Sequence, residues 1–163
     1  MPILLSDEEI EELVLEPKLM PDGLCTPKMA VRNSHRHKSY EIPCDSGHLF
    51  VVKIRESCVN PMNFSVILGN MLPGVYTVFR LKRYNGKSHF HSNPLENEKF
   101  YDFHVHQATA RYQRPGFNED HYAVPTQRFC NLQTALGCLV DECGFPPPFK
   151  GTPLFPLDDD RNL

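Results

Sequence analysis

The apolar positions of this chain recur at two different periods, and the change between them divides it into elements. Ile10, Leu13 and Val14 fall at helical spacing, and Ser6 stands three residues ahead of Glu9 as a capping box, so a short amphipathic helix is expected over 7–16, ended by Pro17. Residues 17–37 are rich in turn formers and read as loop. Alternation then takes over. Strands are expected at 39–44, 48–55 and 63–69, the first two joined by Asp45-Ser46-Gly47. The run 75–84 is the strongest strand, dense in β-branched and aromatic residues. Strict alternation along it would put Val75, Thr77, Phe79 and Leu81 on one face, and Tyr76, Val78, Arg80, Lys82 and Tyr84 on the other.

Residues 87–100 read as a loop and 101–109 as a further strand. In that strand Phe103, Val105 and Gln107 share one side; Asp102, His104 and His106 share the other. After a loop at 111–125, Thr126 can cap a helix over 127–142 whose stripe is Phe129, Leu132, Leu136, Leu139 and Val140, with Gly144 ending it. The order predicts an α+β domain: a mostly antiparallel sheet, a short N-terminal helix, and a C-terminal helix packed on one face.

Length and composition change this picture little. The chain has 163 residues, 40% of them hydrophobic and 23% charged, which fits one domain with its own core. We assign residues 1–145 to that domain and 146–163 to a proline-rich, acidic tail. No run approaches a membrane span, and the acidic start lacks the basic region of a signal peptide. The six cysteines form no Cys-x-x-Cys pair and are expected as reduced thiols, with Cys138 and Cys143 packing at the end of the last helix. The expected location is the cytoplasm, with no membrane association.

Charge matters more through its placement than its total. The net charge is −3, but acidic residues crowd both ends, and positions 17–156 hold sixteen basic residues against eleven acidic ones. One basic run, Arg80, Lys82, Arg83 and Lys87, leads directly into the histidines. His89, His91, His104 and His106 are four of the chain's eight histidines, gathered within 18 positions as two His-x-His pairs. In extended chain each pair can aim two imidazoles at one point.

Two chemistries fit these residues. In the first, a metal-independent ribonuclease cleaves a phosphodiester by acid–base catalysis with His104 and His106, with His91 as an alternate and Asp102 orienting an imidazole. Arg80, Lys82 and Arg83 would stabilise the phosphorane, and Tyr84, Phe90 and His89 would line the substrate site. In the second, His89, His91, Glu96 and His104 hold zinc, iron or manganese, because His89-x-His91 followed by Glu96 matches the ligand spacing of a cupin motif. His121, between Asp120 and Tyr122 in a loop, reads as a surface histidine with an added ligand or base as the alternative, and His35 and His37 flank Arg36 in a polar loop that reads as solvated, with a phosphate contact as the alternative. A third alternative is a non-enzymatic protein or inhibitor that docks a partner through its acidic helix and proline-rich tail.

The stretch Arg83-Tyr84-Asn85, His89-Phe90-His91 and Phe103-His104-Val105-His106 resembles the pattern of TumE-type bacterial toxins, over roughly residues 75–143. The family pattern has proline just before the second His pair, where this chain has Phe103. The resemblance implies a toxin–antitoxin or phage-defence component with ribonuclease activity. It implies an RNA substrate and an antitoxin partner, and roles for Arg83, His89, His91, His104 and His106.

Overall fold

The structure is a computed structural model and describes residues 4–74 and 77–147. It is an α+β fold. Helix α1 (Asp7–Leu15) precedes strands β1 (Ala30–Arg32), β2 (His35–Pro43), β3 (Leu49–Ser57), β4 (Phe64–Met71) and β5 (Val78–Asn85). A hairpin of β6 (His91–Asn93) and β7 (Glu98–Phe100) follows, then β8 (His104–Gln107), helix α2 (Ala110–Gln113), β9 (Ala123–Pro125) and helix α3 (Leu132–Glu142). Seven strands form one antiparallel sheet in the order β1-β2-β3-β4-β5-β8-β9, and the β6–β7 hairpin stands apart from it.

Alternation builds the core. Phe50, Val52 and Ile54 of β3 and Phe64, Val66 and Leu68 of β4 turn to one face, where they are buried with Ile10 and Val14 of α1 and Leu136, Leu139 and Val140 of α3. The Ser6/Glu9 capping box is formed as the sequence implies. The last helix starts later than its apolar stripe suggests. Its cap is Asn131, whose side chain accepts from the Thr134 amide at 2.8 Å, while Thr134 Oγ1 accepts from the Asn131 amide at 3.2 Å. Thr126 instead bonds the Arg128 amide in a local turn, and Phe129 reaches the core from outside the helix.

One buried cation ties the two long helices together. Lys18, 3% exposed, donates from Nζ to the carbonyls of Leu13, Val14, Glu16 and Cys143 at 2.8–3.0 Å, and stands over the Phe50 ring. These include carbonyls of the last turn of α1 and the C-cap carbonyl of α3, which lack partners inside their helices. Burial pulls the Lys18 pKa down to about 8, so it stays charged at neutral pH. Gly144 sits at φ 80° where a Cβ would collide with the Glu16 carbonyl, so this crossing admits only glycine.

A β-bulge in β5 corrects the alternation expected there. Gly69 pairs with Arg80 but Leu68 pairs with Lys82, so Leu81 is the extra residue. After it the phase flips. Lys82 and Tyr84 turn to the core side, where both reach Glu142 of α3, at 3.3 and 2.7 Å. Arg83 joins Arg80 on the opposite face. Val75 and Tyr76 of the expected strand and residues 148–163 of the expected tail lie outside the described residues.

Candidate metal centre

β8 carries the centre because a two-residue period puts His104 and His106 on the same face. The register sets Asn85 opposite His104 and Arg83 opposite His106. The β6–β7 hairpin, inserted between β5 and β8, then folds His91 over the pair. Ring centroids are 5.3 Å apart for His91 and His104, 4.8 Å for His91 and His106, and 4.9 Å for His104 and His106. All three residues are buried, and each offers a ring nitrogen such that the three atoms lie within 4.8 Å of one another.

Hydrogen bonds decide which nitrogens hold lone pairs. His104 Nδ1 lies 2.7 Å from the Asp102 carbonyl and His106 Nδ1 lies 2.7 Å from the Asp120 carbonyl. A carbonyl only accepts, so both Nδ1 atoms carry the proton and both Nε2 atoms are bare. His91 Nε2 is 2.8 Å from Asn93 Oδ1. The Asn93 amide cannot be reversed, because its Oδ1 accepts from the Ala123 amide at 3.0 Å and its Nδ2 donates to the Ala123 carbonyl at 2.7 Å. His91 therefore donates from Nε2 and keeps its lone pair on Nδ1. His106 Nε2 has one neighbour, Asn85 Nδ2 at 3.3 Å. His104 Nε2 is buried and has no hydrogen-bond partner.

Electrostatics keep the rings neutral. Burial drives the His104 pKa down to about 4, helped by the charges of His91, His89 and Arg83. Burial and Arg83 drive His106 down to about 2. Burial also lowers His91, against the hydrogen bond from Asn93. Behind β5, the fully buried Asp120 sits 3.2 Å from Arg80 Nη2 and 3.2 Å from Arg83 Nε. Burial pushes its carboxyl up even with both guanidiniums beside it.

Two of the three imidazoles, His91 and His106, line a cavity of about 500 Å³ on the open face of the sheet, and His104 lies behind them, fully buried. Arg55, Arg83, Asn85, His89, His106 and His121 are among its lining residues, and no carboxylate lines it. His89 is exposed, with its ring 5.6 Å from that of His104. His121 lies 5.4 Å from His91 and shares a hydrogen bond of 3.1 Å with the Ser92 carbonyl through Nε2.

Other expected site residues lie elsewhere. Asp102 is exposed and orients His104 through its main-chain carbonyl, not its carboxylate. Glu96 is taken by Arg111 at 2.7 Å and by the Tyr112 hydroxyl at 2.6 Å, so it does not join the histidines. Lys82 and Tyr84 face α3, and Tyr84 is wholly buried, so it stacks no base. Phe90 is 64% exposed and packs on Tyr101, on the outer side of the hairpin that carries His91 inward. His35 and His37 belong to β2, and Arg36 is paired with Glu56 at 2.6 Å.

The sequence-level argument missed Asn85, Asn93 and Asp120. Asn93 left a trace, since it stands two residues after His91 on the same side of the chain, and Asn85 stands in the Arg83-Tyr84-Asn85 motif without a role assigned to it. No family model, curated protein or solved structure matches this chain. The likeness to TumE-type toxins therefore stands on its short motif.

Proposed function

We propose that this chain is a metal-dependent hydrolase of phosphate esters, with His91, His104 and His106 as the ligands of a zinc, iron or manganese ion. The observation behind this is the orphaned His104 Nε2. A buried, unpaired imidazole nitrogen costs about 1–3 kcal/mol, and an ion there would satisfy it. Of the other ring nitrogens, His91 Nε2, His104 Nδ1 and His106 Nδ1 donate to fixed acceptors, and His106 Nε2 accepts from Asn85 Nδ2 at 3.3 Å. Histidine ligands held through their second N–H by carbonyl and amide oxygens are the usual arrangement around a metal.

Three protein ligands leave a fourth position for water, and zinc lowers that water's pKa to about 7. Hydroxide would then form at neutral pH beside Arg83, which can face the charge building on a phosphoryl oxygen. For zinc the nitrogens must lie about 3.3 Å apart, inferred from bonds of 2.0–2.1 Å in tetrahedral geometry. The present 4.8 Å limit leaves a short inward movement of the rings.

The metal-free acid–base pair fits less well. It needs one imidazolium at neutral pH, and burial denies that to both His104 and His106. The toxin–antitoxin or phage-defence setting, with its RNA substrate and antitoxin partner, is part of the proposal through the TumE resemblance.

Elemental analysis of purified protein tests the centre. One equivalent of transition metal, lost in His104→Ala, is expected. Protein that takes up no zinc, iron or manganese when offered each, and hydrolyses no diester, would overturn it.

A further inference from the structure

The registers align one row of side chains across five strands. His37 pairs with Arg55, Arg55 with Ser65, Ser65 with Asn85, and Asn85 with His104. Directly paired residues share a face, so this row runs over the open side of the sheet from the histidine trio to Arg55. At about 4.8 Å per strand, Arg55 stands roughly 14 Å from His104 along it. Arg55 lines the same depression as His91 and His106, and His91 is stacked on His104.

Arg55 differs from the other arginines near the centre. Arg80 and Arg83 share Asp120, while no carboxylate lies within 4.0 Å of Arg55 among the described residues. Its guanidinium is nonetheless aimed. Nη2 donates to His35 Nε2 at 2.9 Å, and the other nitrogen of His35, Nδ1, donates to the Asn33 carbonyl at 3.1 Å. This is a cation oriented by an accepting imidazole nitrogen, with no carboxylate beside it among the described residues. The floor between is made of neutral donors and acceptors, Ser65 and Asn85, with Asn60 and Asn63 at the side.

Two features favour a polynucleotide over a small anion. The first is the distance, since one phosphate cannot touch both Arg55 and the imidazoles, while an extended chain with repeating phosphates can. The second is the segment that supplies Ser88 and His89 to the cavity. It also carries Lys87 and Phe90, and Phe90 packs on exposed Tyr101 with Lys99 Nζ 4.9 Å from its ring. Exposed aromatics beside lysines are ordinary apparatus for single-stranded nucleic acid, and these stand on the outer side of the hairpin, next in sequence to the Ser88 and His89 that line the cavity.

We infer that the open sheet face binds single-stranded nucleic acid, with Arg55 holding a phosphate remote from the one at the histidine centre. This deepens the proposed function by adding a second phosphate contact for a single-stranded substrate, and it rests on that centre only for the cleavage step. Binding is therefore measured on the metal-free protein. Fluorescence anisotropy with a labelled single strand of about ten nucleotides compares wild type with Arg55→Ala and Arg55→Lys. Losing one charge-assisted phosphate contact weakens binding about tenfold, and the lysine variant should recover part of it. Turnover of the loaded enzyme is then followed with bis(4-nitrophenyl) phosphate, which is too short to reach Arg55. Arg55→Ala should lower this turnover far less than it lowers oligonucleotide affinity.

Unchanged oligonucleotide affinity in Arg55→Ala overturns the inference, as does tighter binding of duplex than of single strand. So does an equal loss on the small diester, which would make Arg55 part of the catalytic centre. Metal-free binding that depends on Arg55, in a protein that never takes up metal, would sink the hydrolase and leave the nucleic-acid site standing.

Discussion

Single side chains around the trio do distinct jobs, and Asn93 has the most demanding one. It fixes the His91 tautomer and pins the hairpin to Ala123. Asn93→Ala should lower metal affinity about 10–100-fold, the usual cost of losing such an outer partner, as read by competition with a chelating dye. It should also lose about 1–3 kcal/mol of stability, because buried donors and acceptors are left unpaired. The neutral imidazoles predict a pH dependence. His104 and His106 have native pKa values below the ordinary 6.5, so between about pH 6.5 and 4 the unfolded chain takes up protons that both native rings refuse. Stability of the metal-free protein should be full above 6.5 and fall as pH drops through this window. The slope is about 1.4 kcal/mol per pH unit for each ring, checked by urea denaturation across pH 4–7. A flat profile would mean that the rings are solvated.

Elements are joined by buried polar contacts as much as by apolar packing. Lys18 holds the C-terminal ends of α1 and α3 in one carbonyl cage. Lys18→Met keeps the length and the contact with Phe50 but abandons four carbonyls, and should cost about 2–4 kcal/mol, measured by thermal or chemical unfolding. Gly86 lies where β5 leaves the sheet. Its amide donates to the Phe64 carbonyl at 3.0 Å, and a Cβ there would collide with the Met62 carbonyl. Gly86→Ala should therefore destabilise by about 1–3 kcal/mol. An unchanged melting temperature would show that the β3–β4 loop yields freely.

Across the molecule, what was legible in the sequence is what depends on local period. The helix at 7–16, the central strands and the paired histidines all follow from spacing along a few residues. The α+β class follows from their order. What was not legible depends on partners distant in the chain. The β5 bulge is set by pairing with Gly69, and it moved Lys82 and Tyr84 out of the expected site while Arg83, expected there, lies on the site's face. Asp120 joins through Arg80, Arg83 and His106, none of them near it in sequence. The hairpin at 91–100 read as loop because its strands are three residues each, too short to show alternation. Glu96 had the right spacing for a ligand, but Arg111 and Tyr112 hold it elsewhere. Among the described residues no helix is long and apolar enough to cross a membrane.

The chain also contains six free cysteines, which compete with imidazole for soft metals. X-ray absorption at the zinc edge of the loaded protein separates the two ligand types directly. Three imidazole nitrogens at about 2.0–2.1 Å with one further light atom, and no sulfur near 2.3 Å, are predicted for wild type, and His104→Ala, which loses the metal, should give no such shell. A sulfur shell, or the same spectrum in both proteins, would contradict the account.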